Sequence, residues 1–152
     1  MALQKAGYPN QREPPGLISS DEKRPDGVTL IPWDRGVSLA WDVIVTCTLA
    51  PSHLEKFIIK AGAAAEQAEA RKLKKYSDLT HRFLVTPLAL ETHGPIGELG
   101  AQFLRDLGNR MAKATDDRRQ GKFLFQRLSL CVQRGNAAAV LGAMPRTLTY
   151  EE

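Results

Sequence analysis

From residue 27 onward the chain shows two kinds of hydrophobic pattern. GVTLIPW (27–33) is short, apolar and β-branched, and DRG (34–36) then supplies turn residues. LAWDVIVTCT (39–48) is a longer, richer run of the same kind, and the two predict an antiparallel β-hairpin. Pro32 cannot donate to a ladder, so the first strand is expected at a sheet edge or bent there. FLVTPLALE (83–91) is continuous in apolar character and predicts a buried strand, added in parallel.

The intervening pattern is helical. Pro51 and Ser52 precede a stretch of Ala, Glu, Lys, Arg and Leu over roughly 54–79. At 100° per residue, Ala61, Ala65, Ala68, Lys72, Tyr76 and Leu79 fall on one stripe. After the breakers Gly94, Pro95 and Gly97, two more helices are predicted, about 96–114 (Leu99, Phe103, Leu107, Met111) and about 119–141 (Phe123, Leu124, Leu128, Cys131, Val132). The fold class is α/β, a small mixed sheet (β-hairpin plus parallel strand) flanked by helices. Residues 1–25, with Pro9, Pro14, Pro15 and Pro25, read as an N-terminal arm or truncated first elements ahead of a domain over 26–145.

Composition narrows the classes. A chain of 152 residues suits one domain. Cys47 and Cys131 have no partners at zinc spacing, which argues against a disulfide framework or a structural zinc. The first residues lack the apolar core of a signal peptide, and no run approaches the roughly 20 apolar residues of a membrane span. The expectation is a soluble protein of a reducing compartment, nuclear or cytoplasmic. The net charge is only +4, so a polyanionic partner would have to be met by local basic patches. Arg71 and Lys74 on the first long helix, and Arg119, Lys122, Arg127 and Arg134 on the last, are the candidates for nucleic-acid contact. Surface pairing with Glu98, Asp106, Asp116 or Asp117 is the alternative use of those arginines.

Asp42 carries the chemical interest. It sits in the most hydrophobic strand, where a charge is costly unless paired or coordinated. If the turn centres on Arg35, opposed residues have numbers summing to about 70, and Asp26 becomes a diagonal neighbour of Asp42 on one face. Two carboxylates so placed can share a hard divalent cation. Lys72 lies mid-stripe, aimed at the surface the helix packs on, with Lys75 at the stripe's edge and Lys74 pointing away. Two Asp, a Lys and a metal form a phosphodiester-cleaving set. Blander roles exist for each: Asp26 as a turn residue, Lys72 snorkelling to water, Asp42 paired with an arginine. His53, His81 and His93 are scattered without ligand spacing, and Glu91 ranks below the aspartates as a further carboxylate.

Lys-Arg-Pro-Asp-Gly (23–27), Trp-Asp-Val-Ile-Val (41–45) and Lys-Leu-Lys-Lys-Tyr (72–76) resemble the PD-(D/E)XK superfamily. More narrowly, they resemble the restriction-like endonuclease domain of site-specific non-LTR retrotransposons. Glu-Pro-Pro-Gly-Leu (13–17), Ala-Gly-Ala-Ala-Ala-Glu (61–66), Leu-Glu-Thr-His-Gly (90–94) and Gln-Arg-Leu-Ser-Leu (126–130) are similar to the C-terminal region of reverse-transcriptase-like proteins of invertebrates. The resemblance covers about 13–142 and implies a metal-dependent endonuclease that nicks DNA. It implies Asp26 and Asp42 as ligands of Mg²⁺ or Mn²⁺, and Lys72 or Lys75 as the catalytic lysine. It also implies a longer parent protein with a reverse transcriptase domain. The chain departs from the superfamily at Ile44, where a lysine two positions after the second acid is expected. The lysine has then moved to the helix, or the domain is a catalytically inactive nucleic-acid- or protein-binding module.

Overall fold

A computed structural model describes residues 1–17, 24–47 and 60–143. The elements in order are helix α1 (Ala2–Lys5) and strands β1 (Asn10–Arg12), β2 (Gly27–Thr29) and β3 (Ser38–Thr46). Helix α2 (Ala63–Lys75), a 3₁₀ turn (Ser77–Leu79), strand β4 (Phe83–Glu91) and helices α3 (Glu98–Thr115) and α4 (Gln120–Ala143) follow. The described strands form one sheet in the order β1-β2-β3-β4, antiparallel up to β3 and parallel between β3 and β4. The mixed α/β architecture agrees with the sequence reading. Parts of four expectations (18–23 of the N-terminal arm, residue 48 of the second strand, 54–59 of the first long helix, 144–145 of the domain) lie outside the described residues, as do Lys23, Pro51, Ser52 and His53.

The first strand is shorter than its pattern. It stops at Thr29, and Leu30 and Ile31 are exposed instead of continuing the ladder. Asp34 and Val37 close a tight turn, with Arg35 and Gly36 both at positive φ. The residues between Thr29 and Asp34, including donor-less Pro32, therefore loop out. That slips the hairpin register by two, to Gly27↔Trp41 and Val28↔Ala40. Nor is β2 an edge strand. The segment read as an arm supplies β1, whose Asn10–Arg12 pairs with β2, while Leu3 of α1 and Ala6 just after it join the core.

Pleating separates two faces of the sheet. Leu39 and Trp41 of β3 join Leu88 and Leu90 of β4, Leu104, Leu107 and Met111 of α3, and Leu124 of α4 in the main core. Ile44 and Ala89, on the opposite face, meet Ala65 and Ala68 of α2. Alanines at the contact let α2 approach the sheet closely. The predicted stripe thus holds for Ala65, Ala68, Tyr76 and Leu79, all buried, but Ala61 precedes the helix and is exposed. On the later helices Leu99, Phe123 and Cys131 are exposed, contrary to their placement in the predicted stripes. The apolar face of α3 runs instead through Leu104, Leu107 and Met111.

Strand β4, expected to be buried throughout, is buried only over Pro87–Glu91, and Pro87 breaks no ladder. Ala89 and Glu91 bond outward, to Gly97 and Pro95, so Pro87, of the same parity, also points its nitrogen away from β3. Among the described residues no helix is long and apolar enough to cross a membrane.

Candidate functional site

Asp42 lies mid-β3 on the face that α2 covers, opposite Pro87 of β4, and is 4% exposed. Its Oδ2 meets the Lys72 Nζ at 2.5 Å. The side chain of Lys72 keeps 26% of its exposure, so it reaches the buried carboxylate from the solvent side. This is the arrangement the alanine stripe predicted, since small residues under α2 leave room for one long side chain. Lys74 is exposed and points away, also as predicted. Lys75 stands back, with its Nζ 5.2 Å from the centre of the Tyr76 ring.

Asp26 approaches from the lead-in to β2. Extending the observed register places it directly opposite Asp42, where the sequence reading had it diagonal. The two-residue slip preserves parity, so the extended register keeps Asp26 level with Asp42, although Asp26 itself precedes the strand. Asp26 Oδ2 accepts a 2.7 Å hydrogen bond from the Val43 backbone N–H. Asp26 is exposed and lines a surface cleft of about 570 Å³ with Arg12, Glu13, Trp41 and Val43. Gly27, next along, has Trp41 against it: a Cβ there would lie 2.1 Å from the indole ring. Glycine is what lets the chain pass the indole at this point.

Tyr76 closes the site from beneath. It is 1% exposed, and its hydroxyl lies 2.9 Å from the Arg24 carbonyl and 3.4 Å from Asp42 Oδ1. Burial, then the charge and hydrogen bond of Asp42, then the charge of Asp26, push its ionisation well above the ordinary tyrosine value. The phenol therefore stays a proton donor at neutral pH. Sequence reasoning had Tyr76 on the buried stripe but not in the site.

Two further buried carboxylates serve the helices. Glu91 Oε1 accepts from the Ala64 and Ala65 N–H groups at 3.1 and 3.2 Å, capping α2 where Gly62 offers no side chain. It lies four residues beyond Pro87, about 13 Å along the strand from the Asp42 level, so it does not join the aspartates. Glu69, which the sequence reading passed over, accepts from Leu99 and Gly100 at the start of α3. Its position, four residues after Ala65 and three before Lys72, put it on the same stripe, and that was the available signal.

The basic candidates divide between two sides. Arg71 and Lys74 are exposed on α2. Lys122, Arg127 and Arg134 are exposed on α4, which packs on α3 across the sheet from α2. Arg119 is committed to Asp117 at 3.0 Å, and that bond first of all lowers the Asp117 carboxyl to about 2. His81 and His93 are exposed, away from any ligand cluster. Among the described residues no group of three or more His, Cys, Asp or Glu gathers around one point. The two aspartates are the carboxylates the site offers.

No protein-family model, curated protein or solved structure matches this chain.

Proposed function

We propose that this chain is a metal-dependent endonuclease domain of the PD-(D/E)XK type, which nicks DNA as part of a retrotransposon-derived reverse-transcriptase protein. The observation that carries the reading is the 2.5 Å contact between Lys72 and Asp42, with Asp26 opposite Asp42 when the strand register is extended by one residue. The mixed sheet, with an antiparallel hairpin and a parallel fourth strand, also supports it. Asp42 Oδ2 is buried and accepts no well-aligned hydrogen bond, its partner being the Lys72 ammonium alone among the described residues. An acceptor held without a directed donor fits a hard cation, and Asp26 offers a second carboxylate from the open side. Asp26 and Asp42 would hold Mg²⁺ or Mn²⁺, which supplies an activated water and neutralises phosphate charge.

The chain's own residues do the rest. Lys72 places a fixed positive charge at the rim of the buried carboxylate, where negative charge develops on a phosphate being cleaved. Lys75 adds a second cation one turn on. Arg71 and Lys74 offer charge for flanking DNA phosphates on the same helix. The test is a plasmid-nicking assay with Mg²⁺ or Mn²⁺. Wild type should nick, and Asp42→Asn and Lys72→Met should each abolish nicking while remaining folded by circular dichroism. Nicking that survives Asp42→Asn would overturn the reading.

The same contact also favours a second reading. Lys72 already neutralises Asp42, so the pair is complete without a cation, as in a catalytically inactive module retained for nucleic-acid or protein binding. Duplex binding by wild type without nicking in either metal would select it.

A further inference from the structure

We infer that Tyr76 is the positioning residue of this site: its hydroxyl ties the chain entering β2 to Asp42 and so sets where Asp26 stands. The β2–β3 ladder ends at Gly27↔Trp41, so no backbone pairing holds Arg24, Pro25 or Asp26 against β3. Three contacts hold the segment instead, one each to the residue after β1, to β3 and to the end of α2. The Glu13 N–H donates to the Asp26 carbonyl at 2.9 Å, the Val43 N–H donates to Asp26 Oδ2, and the Tyr76 hydroxyl lies 2.9 Å from the Arg24 carbonyl. Only the last reaches across to the second carboxylate. A phenol has one proton, and the 2.9 Å carbonyl is the better acceptor than Asp42 Oδ1 at 3.4 Å. The hydroxyl thus donates mainly to the β2 lead-in and shares its proton, in a weaker three-centre contact, with Asp42 Oδ1.

Buried beside it, Pro25 restricts the lead-in further. With φ fixed at Pro25 and the carbonyl before it anchored, Asp26 has little freedom left. Tyr76 is itself held at the end of α2 by the Lys72 carbonyl, which accepts its N–H at 2.9 Å. Lysine and tyrosine therefore arrive at Asp42 as one rigid unit, one on each carboxylate oxygen. Partners behind the ligands commonly change metal affinity by about 10–100-fold when removed.

The inference rests on the metal-site reading above for its consequence, but not for its geometry, and the experiment separates the two. In the full chain, amide exchange at Val43 reports the Asp26 contact, and Mn²⁺ titration followed by electron paramagnetic resonance reports the site. Tyr76→Phe keeps the ring and should fold. Val43 exchange should accelerate about tenfold while amides of the β3–β4 ladder stay unchanged, and Mn²⁺ affinity should fall by about tenfold. Leu79→Ala, on the same stripe, controls for general loosening and should accelerate no amide selectively at Val43. Unchanged Val43 exchange in Tyr76→Phe overturns the positioning role, whatever the metal does. Equal acceleration at Val43 in Leu79→Ala overturns it too. Accelerated exchange in Tyr76→Phe alone, with no Mn²⁺ binding by wild type that Asp42→Asn removes, upholds the positioning role and overturns the metal site.

Discussion

Two clusters, one on each face of the sheet, combine a tyrosine with an ion pair, and they are built on opposite principles. On the α3 side, the Arg110 guanidinium lies 4.0 Å from the Trp33 ring centre and 5.3 Å from that of Tyr8. It donates to both Asp106 oxygens at 3.1 Å, to the Trp33 carbonyl at 2.8 Å, and to the Tyr8 hydroxyl. Burial of the Arg110 guanidinium is the largest single influence on it, but the aligned bonds to Asp106 and Tyr8 together outweigh that influence, and Asp106 keeps nearly half its exposure. The result is a latch that pins the N-terminal segment and the 30–37 loop to α3. On the α2 side, Asp42 is buried, and Oδ2 has an ammonium but no aligned donor. Burying that charge costs free energy which a packed apolar pair would not. A latch is explained by the fold it holds. A buried pair whose carboxylate oxygen lacks an aligned donor is not, and that asymmetry supports the functional reading of the second cluster.

The sharpest way to break this comparison is to remove one partner at a time. Lys72→Ala strands a carboxylate that is almost fully buried and should cost about 3 kcal/mol in urea denaturation. Asp42→Ala leaves a lysine already part-exposed, free to turn to water, and should cost under about 1 kcal/mol. Equal losses would make Asp42–Lys72 an ordinary structural pair. Next in size, Arg110→Ala should cost about 2 kcal/mol, combining the lost aromatic contact with an unmatched Trp33 carbonyl. Arg110→Lys should recover less than half, because an ammonium cannot reproduce the planar fork. Full recovery by lysine would reduce the latch to simple charge.

A smaller, pH-dependent effect concerns Glu69. Burial, its main influence, holds this carboxyl above its ordinary 4.5, against the lowering pull of the Gly100 and Leu99 N–H groups. The folded state therefore binds the proton more tightly than the unfolded chain. That contribution is full below about pH 4.5 and is lost as pH rises through the elevated value. The stability of wild type relative to Glu69→Gln should fall between pH 4 and 7, read from paired denaturant melts at about half-unit steps. A flat difference would show that the carboxylate caps α3 without strain.

The smallest effect tests which face meets DNA. Duplex affinity should fall with salt at a log–log slope of about −0.9 per phosphate contacted. Removing Arg71 and Lys74 from α2 should make that slope shallower by roughly one to two. Removing Arg127 and Arg134 from α4 should leave it unchanged. The reverse result would move the nucleic-acid face to the side of the latch.

Periodicity alone determined the types of the long elements from β2 onward, the alanine face of α2 at Ala65 and Ala68, and the choice of Lys72 over Lys74, because each depends on spacing along one backbone. The expectation that Asp26 and Asp42 share a face is compatible with the observed register, since a slip of two residues leaves the parity of a strand untouched. The slip itself was decided by tertiary structure: Pro32 and its neighbours looped out where an apolar, β-branched run read as strand. So was the position of β2, because β1 is three residues of polar sequence, Asn10–Arg12, with no hydrophobic signal to announce it. The roles of Tyr76, Glu69 and Glu91 depend on acceptors and donors 26 to 52 residues away, at Arg24, Gly100 and Ala65. No local pattern encodes such partners. A buried polar side chain is legible in sequence as a stripe position, but what it bonds is settled only when separate elements pack against each other.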